Sequence, residues 1–163
     1  MKVGNYNFQY KSTGILQFDP GIDTKLFEPN WCLLLCDEEI ANYYRWHLTA
    51  SSIEIHAPNK LWSFHVSVIK REELLKNDKR WGELNGKPIE FNYGSYVSYS
   101  NGRHAWLNCY SESLCELRSF YGLQINDYKL KFHMTLGRLK YPTEPDVKRP
   151  GIIYNDDEEF MSL

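Results

Sequence analysis

Apolar and polar positions alternate along this chain in a way that divides it into short strands and two helical stretches. WCLLLC (31–36) is an apolar run of strand length and reads as a buried strand. The next residues, DEEIANYYRWHLTASS, change to a helical period. Asp37 is placed to cap that helix. Glu38 and Glu39 stand in its first turn, where the helix dipole favours negative charge. Ile40, Tyr43, Tyr44, His47 and Leu48 share one face, expected to be the buried one. IEIHAP (53–58) alternates as a strand and stops at Pro58, and LWSFHVSVIK (61–70) is the next strand. REELLKNDKRWGEL (71–84) is helical at most in its first half, and Asn85-Gly86 marks a turn. PIEFNYGSYVSYS (88–100) makes one strand, or two with Gly94 as the break. Asn101-Gly102 is a hairpin signal, and HAWLNCYS (104–111) is the returning strand. SESLCELRSFYGL (111–123) is a short helix with Gly122 near its C-terminal end, and YKLKFHMTLGRLKY (128–141) is the last strand.

The two ends are less regular. Residues 1–30 are polar and aromatic, broken by Asp19-Pro20-Gly21 and Pro29-Asn30, and read as an irregular or hairpin-like lead-in. Residues 142–163 carry three prolines and an acid cluster and read as a wrapping tail. Between them the order strand, helix, strand occurs twice. This predicts a single α+β domain over 1–163 with two pseudo-symmetric lobes, roughly 31–84 and 85–141.

Within that repeat, FHVSVIK (64–70) and FHMTLGR (132–138) say nearly the same thing. In a strand, residues two apart share a face. His65 and Ser67 therefore point one way and Val66 and Val68 the other. His133 and Thr135 point opposite to Phe132, Met134 and Leu136. The two histidines are 68 residues apart, as are Ser67 and Thr135. A third match, His47-Leu48-Thr49, falls in a helix, where residues two apart do not face one another, so it is read as structural. His56 and His104 lack the pattern. One strand histidine would be read as core packing; two, on matching strands, point to a site.

Composition narrows the class of ligand. The 42% hydrophobic and 25% charged fractions are those of a folded domain, and no apolar run is long enough to span a bilayer. The N-terminus has no apolar signal-peptide core, which predicts a cytoplasmic protein. A net charge of −2 argues against a coat for duplex DNA and favours a small ligand gripped locally. The four cysteines have neither zinc nor redox spacing and are expected to be buried, reduced thiols.

The paired motifs HVSV (65–68) and HMTL (133–136) resemble those of the two-histidine (2H) phosphoesterase superfamily, which includes RNA ligase-like proteins and 2′,3′-cyclic phosphodiesterases. The resemblance spans roughly residues 31–140. It implies two lobes of antiparallel sheet with outer helices around a central cleft. It also implies a metal-independent phosphodiesterase without a cofactor, acting on a phosphodiester beside a ribose hydroxyl. His65 and His133 would be its acid and base, and Ser67 and Thr135 would bind the phosphate. The compact chain with extended ends is similar to phage enzymes of the anti-CBASS type, which destroy cyclic nucleotide immune signals. A cyclic di- or oligonucleotide is accordingly the favoured substrate. The alternatives are RNA ends bearing a 2′,3′-cyclic phosphate, and a nucleotide- or RNA-binding module without turnover.

Around the motifs, Gly137 shares the polar face by alternation, or forms a bulge. Lys70 and Arg138 fall on the opposite face unless a bulge re-aims them. Trp62, Tyr96, Tyr99 and Trp106 are candidates to stack on bases, with core packing as the rival reading. The acidic run Asp156-Asp157-Glu158-Glu159 is a solvated end, or a lid that reads a purine's amino edge.

Overall fold

A computed structural model describes residues 1–21, 29–57, 64–70, 72, 78–100, 104–125, 132–140 and 152–154. In chain order these form β1 (Lys2–Val3), β2 (Tyr6–Asn7), β3 (Tyr10–Phe18), β4 (Cys32–Leu35), α1 (Glu38–Ala50), β5 (Ile55–His56) and β6 (His65–Ile69). There follow β7 (Pro88–Ser100), β8 (His104–Tyr110), α2 (Glu112–Phe120), β9 (His133–Leu139) and β10 (Ile152–Tyr154). The fold is α+β: a strand-rich, barrel-like sheet with two helices. Strand, helix, strand does occur twice, as β4–α1–β6 (with the two-residue β5 inserted) and β8–α2–β9.

The sheet closes on itself. β3 pairs with β4, β4 with β6, β6 with β9, β9 with β8, β8 with β7, and β7 again with β3, all antiparallel. β5 adds to β9, and β10 adds to β7 as a parallel strand. The narrowest seam is β6–β9, joined through the single pair Val66 and Met134.

Both helices start as their sequences demand. The Asp37 carboxylate accepts from the Glu39 N–H at 3.0 Å, and the Ser111 hydroxyl accepts from the Leu114 N–H at 3.3 Å. α1 buries Ala41, Tyr44 and Leu48 and α2 buries Leu114, Cys115 and Leu117, all in one core that also holds Leu34, Val66, Met134 and Leu136. Strand and helix residues thus share a single apolar cluster.

Several expectations need correction. The buried face of α1 is rotated from the predicted one: Tyr43 is 58% exposed, and His47 is also exposed, its ring stacked on Tyr43. Ala41, Tyr44 and Leu48 form the buried face instead. The lead-in opens hairpin-like, with β1 paired antiparallel to β2, but goes on more regularly than predicted, because β3 is an integral strand between β4 and β7. Its Gly14 is required by closeness: a Cβ there would stand 2.5 Å from Leu34 Cγ and 2.6 Å from the Leu35 carbonyl oxygen. β7 is one strand, with a register shift between Tyr93 and Val97 around Gly94. Of the described residues of IEIHAP, Ile55 and His56 form β5 and the others are not strand.

All four cysteines are free and buried, as expected. Burial pushes the thiols of Cys32, Cys36 and Cys109 up from their ordinary value. Among the described residues no helix is long and apolar enough to cross a membrane. The predicted Asn101-Gly102 turn, the helical half of 71–84 except Glu72, and the acidic run at 156–159 lie outside the described residues.

Candidate functional site

The alternation read from the two motifs is present in the structure. Val66, Val68, Phe132, Met134 and Leu136 are buried, whereas His65, Ser67, His133 and Thr135 are half-buried. Val66 and Met134 are directly paired on antiparallel strands and face the helices. The residues on either side of them must therefore face inward, away from the helices. The register sets Ser67 opposite His133 and His65 opposite Thr135. The four polar side chains thus form a square around one apolar pair, with an approximate two-fold axis through its centre. They come from two strands 68 residues apart in sequence, and the fold brings all four together.

Each imidazole is held by a tryptophan. Trp31 meets His65 edge-on, with ring centroids 5.9 Å apart and planes at 75°. Trp106 meets His133 with centroids at 6.0 Å and planes at 61°. Such T-shaped contacts limit the swing of the smaller ring. Trp106 is itself fixed: its Nε1–H donates to Asn108 Oδ1 at 2.9 Å, and Asn108 Nδ2 donates to Ser98 Oγ at 3.0 Å.

Beyond each motif the strand bulges, and the two bulges match. Leu33 pairs with Ser67 but Cys32 pairs with Ile69, which leaves Val68 as the extra residue. Trp106 pairs with Thr135 but Ala105 pairs with Gly137, which leaves Leu136 as the extra residue. A bulge shifts the alternation by one. Val68 and Ile69 are both buried, as are Leu136 and Gly137. The next residues, Lys70 and Arg138, are thereby turned onto the motif face. Lys70 Nζ lies 4.3 Å above the ring of Trp31, the tryptophan that touches His65. Strict alternation had placed Gly137 on the polar face and the two cations on the other, and the bulges reverse all three. Gly137 has φ +154°, and a Cβ on it would stand 2.2 Å from the His56 carbonyl oxygen.

The bulges free carbonyls, and two arginines that sequence reasoning missed cap them. Arg45 on α1 donates from Nε to the Leu136 carbonyl at 2.7 Å. Arg118 on α2 donates from Nη1 to the Val68 carbonyl at 2.7 Å. Each helix thus grips the bulge of the other repeat across the β6–β9 seam. Arg118 is completely buried, and Glu72 neutralises it through a two-pronged pair at 2.7 and 2.6 Å. The signal available in the sequence was a fully charged side chain in the last turn of a short amphipathic helix.

The aromatic candidates separate. Trp106 is 2% exposed, so it offers no open face on which a base could stack. Tyr99 is in the core, Tyr96 is 45% exposed, and Trp62 lies outside the described residues. Among the described residues no three potential metal-ligating side chains cluster. An open groove of about 460 Å³ on the outer side of α2, lined by Glu112, Cys115, Glu116, Ser119, Phe120 and Ile125, holds no imidazole and lies apart from the motifs. No family model, no curated protein and no solved structure matches this chain.

Proposed function

We propose that this chain is a two-histidine phosphodiesterase that cleaves a phosphodiester beside a ribose hydroxyl, and that its substrate is a cyclic di- or oligonucleotide. The observation that carries this reading is the square of two imidazoles and two hydroxyls around the Val66–Met134 pair. In this reading the two strand–helix–strand repeats are two lobes, and the motif face lines a cleft between them.

The chemistry follows from the arrangement. One imidazole takes the proton from the ribose hydroxyl, or from a water molecule where that hydroxyl is already esterified in a 2′,3′-cyclic phosphate, and the oxygen so activated attacks the phosphorus. The bond to the departing ribose oxygen breaks, and the other imidazole supplies that oxygen with a proton. The Ser67 and Thr135 hydroxyls donate to the non-bridging oxygens as negative charge accumulates there. The near two-fold symmetry makes His65 and His133 interchangeable in principle, so the direction in which the substrate lies decides which is base and which acid.

The test is an activity screen in the presence of EDTA with cyclic dinucleotides and with RNA ends bearing a 2′,3′-cyclic phosphate. Cyclic dinucleotides should be opened, and His65→Ala and His133→Ala should each lower kcat by at least about a hundredfold. Activity on RNA ends alone would replace the substrate and keep the mechanism. Tight binding without turnover by the wild type would make this a binding module. Full activity in either alanine variant would remove the mechanism.

A further inference from the structure

The matched bulges place cations where the reaction itself requires none. Lys70 and Arg138 each stand two ladder steps beyond the motif hydroxyl of their strand, about 7 Å by strand rise. Because β6 and β9 are antiparallel, the two cations lie at opposite ends of the square, one on each side of it. Neither position is casual. Lys70 is stacked on Trp31. Arg138 is exposed and is the cross-strand partner of His104 on one side and His56 on the other, so three basic side chains leave the same face in a row.

We propose that Lys70 and Arg138, the latter with His104 and His56 beside it, are binding subsites for the phosphates that flank the scissile one. This rests on the phosphodiesterase reading and narrows it. The preferred substrate carries an anionic group on both sides of the reacting linkage, as a cyclic oligonucleotide or an internal RNA linkage does. A lone 2′,3′-cyclic mononucleotide has no flanking phosphate and fills the central square only. The spacing suits this: one motif-to-cation step is the reach from one phosphodiester to the next along an extended strand.

Two measurements test the assignment. The first compares kcat/KM on a cyclic trinucleotide, the smallest ring with a separate phosphate on each side of the scissile one, with kcat/KM on 2′,3′-cyclic AMP, in the wild type, Lys70→Ala, Arg138→Ala and the double variant. The ratio between the two substrates should fall about tenfold or more in the double variant, mostly through KM on the trinucleotide, as expected for the loss of charge-assisted contacts. A ratio that stays constant overturns the subsites. The second measures binding of a short oligo(dT), which lacks the 2′-hydroxyl and cannot be cleaved by this chemistry. Wild type should bind it with a salt dependence that drops by about 0.7 in slope for each cation removed. Weakening in the variants supports the subsites even if the wild type turns over nothing, an outcome that would count against the phosphodiesterase reading alone. No binding by the wild type, or equal binding by the variants, overturns the subsites whatever the activity.

Discussion

Gly137 separates His133 and Thr135 from Arg138, and its lack of a side chain has an energetic consequence that can be measured. A methyl group there would meet the His56 carbonyl oxygen at 2.2 Å, at a φ of +154° that other residues rarely adopt. Backbone cannot yield as a side-chain tip can, so β5 must move away from β9. Gly137→Ala is expected to lower stability by about 1–3 kcal/mol and to expose the amides of Ile55 and His56. Urea melts and amide exchange would check this, and an unchanged melt would mean that β5 is not held where the pairing puts it. The hydroxyls carry a second expectation. Ser67→Ala and Thr135→Ala, each removing a donor aimed at the non-bridging oxygens, should lower kcat by roughly a hundredfold while leaving the melt nearly unchanged. A variant that raises KM alone would show that the hydroxyl binds ground and transition states equally.

The bulged strands depend on the helices opposite them. Arg118 is buried, ion-paired to Glu72, and donates to the carbonyls of Val68 and Gln124. Arg118→Met would leave a partly buried carboxylate without its cation and two carbonyls without this donor. The loss should be about 3 kcal/mol. Arg45 is less enclosed: its Glu38 contact is long at 3.8 Å, and its essential bond is the one to Leu136. Arg45→Met should cost about 1–2 kcal/mol. Paired thermal melts would show the order, and an equal loss from both would argue against the Glu72 pair as the difference. These contacts also explain what the sequence could disclose. The His-x-Ser/Thr pairs were legible because a strand's two-residue period sorts polar from apolar without reference to the rest of the chain. The bulges were not, since Val68-Ile69 and Leu136-Gly137 look like ordinary continuations of apolar strands. The arginine caps were hidden for a related reason: a charged residue on a helix is read as solvated unless its partner is known, and Leu136 lies 91 residues from Arg45. In β3, only Gly14 and Leu16 are buried among nine mostly polar residues, so its central place follows from its two neighbours.

Several neutral acids of this fold are buried, and this sets the direction of the protein's response to pH. Burial pushes the Cys36 thiol from its ordinary 9.0 up to about 12. Burial likewise raises Tyr121 from 10.0 to about 12, and for Tyr110 the bond to Glu112, followed by burial, does the same. Cys109, fully buried in β8, is raised by burial as well. In the folded state each of these groups keeps its proton at a pH where the unfolded chain would release it. Stability from this source is therefore complete below pH 9 and falls as pH rises toward 12, by about 1.4 kcal/mol per pH unit for each group fully in that window. Urea midpoints should drop progressively between pH 9 and pH 11. Cys36→Ala, which removes one titrating group from the ring's core, should flatten the fall even though it lowers stability at neutral pH by leaving a small cavity. A midpoint that held level to pH 11 in the wild type would mean that the core opens to solvent around these groups. In that case the inner face carrying His65 and His133 would have lost the rigid outer wall against which Val66 and Met134 hold it.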